Sequence, residues 1–137
     1  MKYVLDASVA FKWVVDEINA DKARRLREGF RNAVHELLAP DVFSVEIAHS
    51  LTKAERQGKL VDAAGLWMDV MTTSPDLFQT LSLMPRALQI AKQARIGVYD
   101  CLYVALAERE GCEMITADDR LMRNLPGHAI VLLASLP

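Results

Sequence analysis

The sequence has no excess of positive charge and no long apolar run, and each absence excludes a class of protein. The formal net charge is −2, so the chain lacks the basic field typical of nucleic-acid-binding domains, and local patches or a metal ion would have to hold a polyanion. No apolar stretch reaches membrane-spanning length. Asp6, Lys12 and Asp16 interrupt the apolar opening segment, and no small-residue cleavage site follows it, so it is not interpreted as a signal peptide. We expect a cytoplasmic protein without membrane association.

Cysteine is also scarce. Cys101 lies in an apolar helical run and Cys112 begins a strand-like run, which predicts buried free thiols in a reducing cytosol. No Cys and His residues have the spacing of a zinc site, and the histidines are too scattered to form a metal set. The 137 residues contain no repeat, low-complexity segment or linker, so they predict a single domain over residues 1–137.

Five short apolar runs predict the strands of one sheet. The runs KYVL, MIT and AIVLL are continuous, as expected of strands buried on both faces of a parallel sheet. The run LFQTLSL alternates partly, which favours an edge position. The predicted strands are Tyr3–Leu5, Glu36–Ala39, Phe78–Leu83, Glu113–Thr116 and Ala129–Leu133.

Amphipathic or capped segments between these runs predict helices. Asp41 is the expected N-cap of a helix that ends near Gln57, before Gly58. Met84-Pro85 is expected to open another helix, with proline at its first position. The other predicted helices are Ala20–Phe30, a run around Leu60–Met71, Val98–Glu110 and Asp118–Leu125. Strands that alternate with helices predict an α/β fold, a three-layer α/β/α sandwich around a central, mostly parallel sheet.

Acidic residues stand where apolar runs end or where helices begin, and each has an ordinary alternative role. Asp6 suits a turn or a helix cap, and Asp100 suits the first turn of a helix, where the dipole favours a carboxylate. Glu46 is compatible with a solvated helix position. Thr116 and Asp119 have the spacing of a capping-box variant, so we assign the cap to Asp119 and prefer Asp118 as a site residue.

The topology predicts that these acids meet. Carboxyl ends of parallel strands lie at one edge of a sheet, which would join Asp6 and Asp118. Asp100 reaches the same edge if its helix begins there, as a right-handed crossover requires. Gathered carboxylates repel one another unless a cation lies between them, and oxygen ligands without His or Cys select Mg²⁺ or Mn²⁺ over zinc. Such an ion suits phosphodiester hydrolysis.

Several polar residues near the acids are candidates for contact with substrate. Ser8 and Thr116 are placed to hydrogen-bond a carboxylate or a phosphate, and capping is the alternative. His49 and Lys53 share a helical face with Glu46, so we expect them to contact substrate. The basic side chains between Arg24 and Arg31, on the helix predicted to begin at Ala20, either form a solvated face or supply phosphate contacts.

The segments LDASVAFKWVVDE, the helix of Glu46, VYDCLYVALAE and ITADDRL together resemble the PIN-domain nucleases. The resemblance covers the whole chain, and its length and layout are most similar to those of the VapC toxins of prokaryotic toxin–antitoxin pairs. It implies a Mg²⁺- or Mn²⁺-dependent ribonuclease in which Asp6 and Asp100 match the best-supported metal ligands. Glu46 and Asp118 match the second and fourth acids, and we expect Asp118 to bind the metal as well.

The resemblance further implies a homodimer held inactive by a cognate antitoxin, whose carboxyl-terminal segment covers the site. His49 departs from the family, which often has Asn at that position. Trp67 suits either the core or an apolar groove for such a partner, whereas Met68 is predicted to lie in the core.

Other classes fit the sequence less well. A phosphoacceptor receiver domain needs adjacent acids at the first strand and a lysine after the last one, and the chain has neither. A haloacid-dehalogenase-type phosphatase needs an aspartate where Ser8 stands. The alternative that stays open is a non-catalytic interaction module with the same PIN-like fold.

Overall fold

One or two helices separate each strand from the next in the computed structural model, which describes residues 1–137. The strands are β1 (Lys2–Leu5), β2 (Glu36–Pro40), β3 (Asp76–Phe78), β4 (Glu113–Thr116) and β5 (Ile130–Leu132). The helices are α1 (Ala7–Val14), α2 (Ala20–Arg31), α3 (Phe43–Arg56), α4 (Ala63–Met71), α5 (Thr80–Ala94), α6 (Val98–Glu110) and α7 (Asp119–Asn124), with a 3₁₀ turn at Leu133–Ser135. None of these helices is both long and apolar enough to cross a membrane.

The strands form one parallel sheet in the order β3-β2-β1-β4-β5. The side chains of Val4 and Leu5 point to opposite faces of β1, yet both have no exposed surface. Helices therefore cover both faces, which confirms the α/β class and the three-layer arrangement. The order of the strands reverses beside β1, so a crevice opens between the carboxyl ends of β1 and β4, where open α/β sheets bind their ligands.

Helix α6 is the central helix of the fold. Every residue from Cys101 to Ala107 is buried, because α6 packs against β1, β2, β4 and α5. A helix that is apolar on all sides belongs inside a protein. Its first turn carries Asp100 to the carboxyl edge of the sheet, and Gly111 ends it in the left-handed conformation at φ 63°. A single cluster of 33 buried residues fills the core.

The expected strand Phe78–Leu83 is wrong in its extent. β3 ends at Phe78, although it does occupy the predicted edge of the sheet, and α5 begins at Thr80. Leu83, Ala87 and Ile90 are buried at helical spacing, so the burial of one helical face outweighs the partial alternation in the sequence. Pro85 consequently lies inside α5, on its exposed side, and not at its first position.

Three smaller expectations also differ from the structure. The N-cap of α3 is Val42, and Asp41 instead uses its backbone N–H to bond Phe78 O at 2.8 Å. Met68 is 65% exposed and not part of the core, because α4 buries Ala63 and Val70 instead. Both cysteines are free thiols as predicted, but only Cys101 is buried.

Candidate active site

Asp6 lies at the point where β1 ends and α1 begins. Its backbone N–H extends the sheet by donating to Ile115 O at 3.0 Å. Its side chain makes no capping hydrogen bond; instead, Oδ2 accepts from Ser8 Oγ and from Thr116 Oγ1, each at 2.7 Å. Burial raises the pKa of Asp6, the two hydroxyls and a backbone contact lower it in part, and the charge of Asp118 raises it again. The carboxyl group is thus held firmly but ionises reluctantly.

The two hydroxyl groups connect the ends of β1 and β4. Ser8 Oγ accepts from the backbone N–H of Ala117 at 3.1 Å, and Thr116 Oγ1 accepts from that of Asp118 at 3.1 Å. Since each hydroxyl donates its only proton to Asp6, both hydroxyls fix the orientation of that carboxylate. We expected these two hydroxyls to bond a carboxylate or a phosphate, and the structure shows the bond to the carboxylate of Asp6. Contact with a phosphate stays a prediction for both residues, and Thr116 has no exposed surface.

Glu46 enters the crevice from the first turn of α3. Its Oε1 accepts a hydrogen bond of 2.6 Å from the Oη of Tyr103, a residue of α6 that has no exposed surface. Partial burial raises the pKa of Glu46 to about 7; the bond from Tyr103 lowers it in part, and the charges of Asp6 and Asp100 raise it further. The sequence reasoning missed Tyr103. The signal was its position one helical turn after Asp100, on the same face of an otherwise apolar helix.

Asp100 faces the same crevice from the first turn of α6. Partial burial and the charges of Asp6 and Asp118 raise its pKa to about 6, and Arg120 opposes that rise. A half-buried carboxyl group with such a pKa lacks a full counter-charge.

Asp118 has a different role from the one the capping argument gave it. Asp118 is itself the N-cap of α7, and its Oδ1 accepts from the backbone N–H of Arg120 at 2.9 Å. Asp119 pairs with Arg123 at 2.7 Å, so the preference for Asp118 rested on a wrong assignment of the cap. Burial opposes ionisation of Asp118, but the hydrogen bonds and charge of Arg120 outweigh it, and the pKa of Asp118 is lowered.

The acids thus come within electrostatic reach of one another from four separate elements. Asp6, Glu46 and Asp100 each have a pKa raised by the charge of at least one other acid of the set. No three His, Cys, Asp or Glu side chains form a group that could hold a metal ion as they stand. Mg²⁺, however, keeps several waters and binds one or two carboxylates together with substrate phosphates. The carboxylate-only donor set and its excess of negative charge fit such an ion.

A cleft of about 520 Å³ adjoins the acids along α3. Glu46 and His49 line it, together with Val42, Val45, Ser50 and Tyr99. Lys53 lies one turn beyond His49, exposed and without an ion pair or hydrogen bond. The position of His49 and Lys53 on the face of Glu46 is therefore as the spacing predicts, and their contact with substrate stays a prediction.

The basic side chains of α2 are mostly engaged within the chain. Arg24, Arg25 and Arg31 form exposed ion pairs with Asp16, Asp21 and Glu28, respectively. Arg27 is buried against the Trp13 ring, 4.9 Å from its centroid, and it also pairs with Asp69 at 2.9 Å. This buried residue fixes α2 to α4 and is unavailable to a polyanion.

Known proteins resemble this chain over nearly its full length. Ribonuclease VapC3 of Pyrobaculum aerophilum is 30% identical over 133 residues, which cover 92% of this chain and 96% of the relative. Ribonuclease VapC9 of Mycobacterium tuberculosis is 32% identical over 123 residues, which cover 86% and 87%.

Solved structures share the fold. PAE2754 from Pyrobaculum aerophilum superposes with a TM-score of 0.69 at 23% identity, covering 98% of this chain and 94% of that one. VapBC2 from Rickettsia felis, solved bound to a DNA fragment from its promoter, has a TM-score of 0.68 at 11% identity, with 96% and 98% covered. The family model of the PIN domain matches residues 3–127, and the chain belongs to the PIN-domain family.

Proposed function

We propose that this chain is a metal-dependent endoribonuclease that hydrolyses phosphodiester bonds in RNA, and that it is the toxin of a toxin–antitoxin pair. The observation that carries the proposal is the crevice between β1 and β4, where acids from four elements of a PIN-domain chain meet, and where the charges of neighbouring acids raise the pKa values of Asp6, Glu46 and Asp100. The names of the relatives VapC3 and VapC9 support ribonuclease activity. A single hydrophobic cluster supports one PIN-like domain over residues 1–137.

Asp6, Asp100 and Asp118 are the residues that would hold Mg²⁺ or Mn²⁺. Carboxylate oxygens favour these ions, and an ion bound there would lower the pKa of water and neutralise charge on the phosphate in the transition state. Ser8 and Thr116 keep Asp6 in one orientation through two hydrogen bonds of 2.7 Å each. Arg120 pairs with Asp118 through Nε at 3.3 Å and competes with an ion for that carboxylate.

Glu46 is the group suited to exchange a proton with the attacking water. Its pKa of about 7 lies near the working pH, where a general base is most effective. Tyr103 occupies Oε1, which leaves Oε2 to take the proton. The water oxygen then bonds to phosphorus, the bond from phosphorus to the leaving ribose oxygen breaks, and that oxygen takes a proton from solvent.

The partners follow from the same proposal. We propose a cognate antitoxin that covers the crevice, a homodimer and a cytoplasmic location, as in a VapC-type toxin. Exposed apolar side chains such as Val61 and Met68 offer surface to a protein partner. Co-expression with the product of a small neighbouring reading frame, followed by co-purification and loss of RNA cleavage, tests the antitoxin.

Cleavage of end-labelled single-stranded RNA tests the activity. We expect cleavage by the wild type with Mg²⁺ or Mn²⁺, protection by chelator, and little cleavage by Asp6→Asn and Asp118→Asn. Asp119→Asn is the matched control, because its carboxylate is adjacent in sequence but pairs with Arg123 outside the cluster. Thermal unfolding must show that each variant is folded. Cleavage by folded Asp6→Asn at the wild-type rate would rule out the acidic site, whereas no cleavage by the folded wild type with either metal ion would favour the non-catalytic module.

A further inference from the structure

The cleft beside Glu46 combines an apolar interior with an exposed aromatic ring. Tyr99 directly precedes Asp100 on α6, and its side chain is 58% exposed. Val45 is 68% exposed on the facing helix α3, and both residues line the cleft with Val42. Exposure of a tyrosine and a valine together leaves apolar surface in water, which favours a ligand with an apolar face.

Polar groups stand at the rim of the same cleft. His49 and Ser50 line it and can donate or accept hydrogen bonds. Apart from Glu46, the lining residues carry no carboxylate, so the cleft does not suit a metal ion. A flat heterocycle with an apolar face and polar edges matches this lining, since unpaired bases of RNA stack on aromatic side chains and hydrogen-bond through their edges.

The size of the cleft argues for a small moiety. Its volume of about 520 Å³ lies within the usual range of small-molecule sites, roughly 300–1,000 Å³. It is lined by 6 residues, whereas a standard protein interface uses about 20–30 residues on each side. Because Glu46 belongs both to the cleft and to the acidic cluster, the ligand would lie next to the reacting phosphate.

We propose that this cleft is a subsite for one unpaired nucleobase of the RNA, stacked on Tyr99 beside the scissile phosphate. His49 and Ser50 contact the edge of the base and select among the four bases. Lys53, one turn further along α3 and free of any partner, contacts a phosphate of the same strand. The inference rests on the proposed ribonuclease function and names the part of the substrate that the enzyme reads.

Abasic substitution in an RNA oligonucleotide tests the subsite. A cleavage site of the wild type is first mapped, and each flanking nucleotide is then replaced in turn by an abasic ribose, which keeps sugar and phosphate. We expect the loss of one particular base to raise KM between about 5- and 150-fold, the range for one stacked base, with kcat nearly unchanged.

Variants of Tyr99 then test whether the rise in KM comes from stacking of the base on the Tyr99 ring. Tyr99→Phe keeps the ring, so we expect the abasic substitution to raise its KM as in the wild type. Tyr99→Leu keeps an apolar side chain but loses the ring, so we expect the abasic substitution to leave its KM nearly unchanged. Val34→Ala is the control, since Val34 is also exposed but precedes β2 at the opposite edge of the sheet. Light scattering checks the oligomeric state of each variant.

The outcomes separate the two proposals. If the wild type does not cleave RNA with Mn²⁺, the proposed function and the subsite both fail. If it cleaves but the abasic substitution raises the KM of Tyr99→Leu as in the wild type, or no flanking base matters, the subsite alone is overturned. Dissociation of a dimer in Tyr99→Leu with this rise in KM retained would assign the cleft to a second copy of the chain and overturn the subsite as well.

Discussion

Replacing Tyr103 with Phe removes a single oxygen atom from the site. Tyr103 has no exposed surface, and its hydroxyl donates the 2.6 Å hydrogen bond to Glu46. That bond lowers the pKa of Glu46 against the effects of burial and neighbouring acids, which together leave it at about 7. The variant is therefore expected to raise the pKa of Glu46 above about 7 and to free its side chain to rotate.

The loss of stability depends on whether Glu46 is ionised. A hydrogen bond between neutral groups contributes about 1 kcal/mol, and one to a charged group about 1.5–3 kcal/mol. Glu46 is only partly buried, so water can replace the lost hydroxyl as a hydrogen-bond donor. We therefore expect the variant to lose ~1 kcal/mol of unfolding free energy near pH 5 and ~2 kcal/mol near pH 8. For a chain of this size, each kcal/mol lowers the melting temperature by about 4 °C.

The assay pairs unfolding with cleavage. Urea unfolding in chelator near pH 5 and pH 8 measures the loss of stability. RNA cleavage with Mn²⁺ measures the loss of activity, which we expect to be about 10- to 100-fold, as for other residues that support metal sites. Tyr3→Phe is the matched control, since Tyr3 is also buried but its hydroxyl makes no hydrogen bond within the chain.

A double-mutant cycle assigns the effect to the pair. Combined with Glu46→Gln, Tyr103→Phe is expected to cost less than it does alone. The reasoning is refuted if Tyr103→Phe behaves like Tyr3→Phe at both pH values, or if its effects add fully to those of Glu46→Gln.

Three further predictions concern the acidic cluster. Mn²⁺ at 100 times its Kd is expected to stabilise the metal-free protein by about 2.7 kcal/mol, and Asp100→Asn to blunt the rise in melting temperature; an equal rise in both proteins would contradict the site. Folding raises the pKa of Asp100 from 3.8 to about 6 and that of Glu46 from 4.5 to about 7. The contribution of each group to stability is therefore fully present at a pH below its unfolded pKa, and it is lost as the pH rises through its folded pKa. After discounting for exposure to solvent, we expect ~1–2 kcal/mol from each group, and urea unfolding in chelator with no such decline would refute it. Arg120→Ala removes a cation that competes for Asp118; we expect it to cost under about 1 kcal/mol of stability and to tighten Mn²⁺ binding, measured from the same melting curves, whereas weaker binding would argue against that competition.

The sequence was sufficient where one physical effect dominated. The strand Glu113–Thr116 and the helix Val98–Glu110 have the predicted bounds, because a continuous apolar run and a glycine stop leave little choice. It failed between residues 76 and 85, where LFQTLSL satisfies the periods of a strand and of a helix alike. Packing of Leu83 and Ala87 against the core decided in favour of the helix.

For the acids, too, the sequence predicted one feature and left another undecided. Their positions at strand ends and helix starts predicted that they would meet, since parallel strands send their carboxyl ends to one edge. The sequence did not reveal which acid caps α7, because Asp118 and Asp119 can both accept from its first turn, and the choice depends on where Thr116 and Arg120 lie in space.

The sequence by itself indicated the α/β class, the parallel sheet and the acids at its carboxyl edge, because hydrophobic periodicity depends on residues close together in the chain and crossovers in parallel sheets have one hand. The tertiary structure alone decided the chemistry of each acid. Tyr103 lies 57 positions from Glu46, and Thr116 lies 110 from Asp6. Burial and distant partners such as these set a pKa and an orientation, and they exist only once the chain has folded.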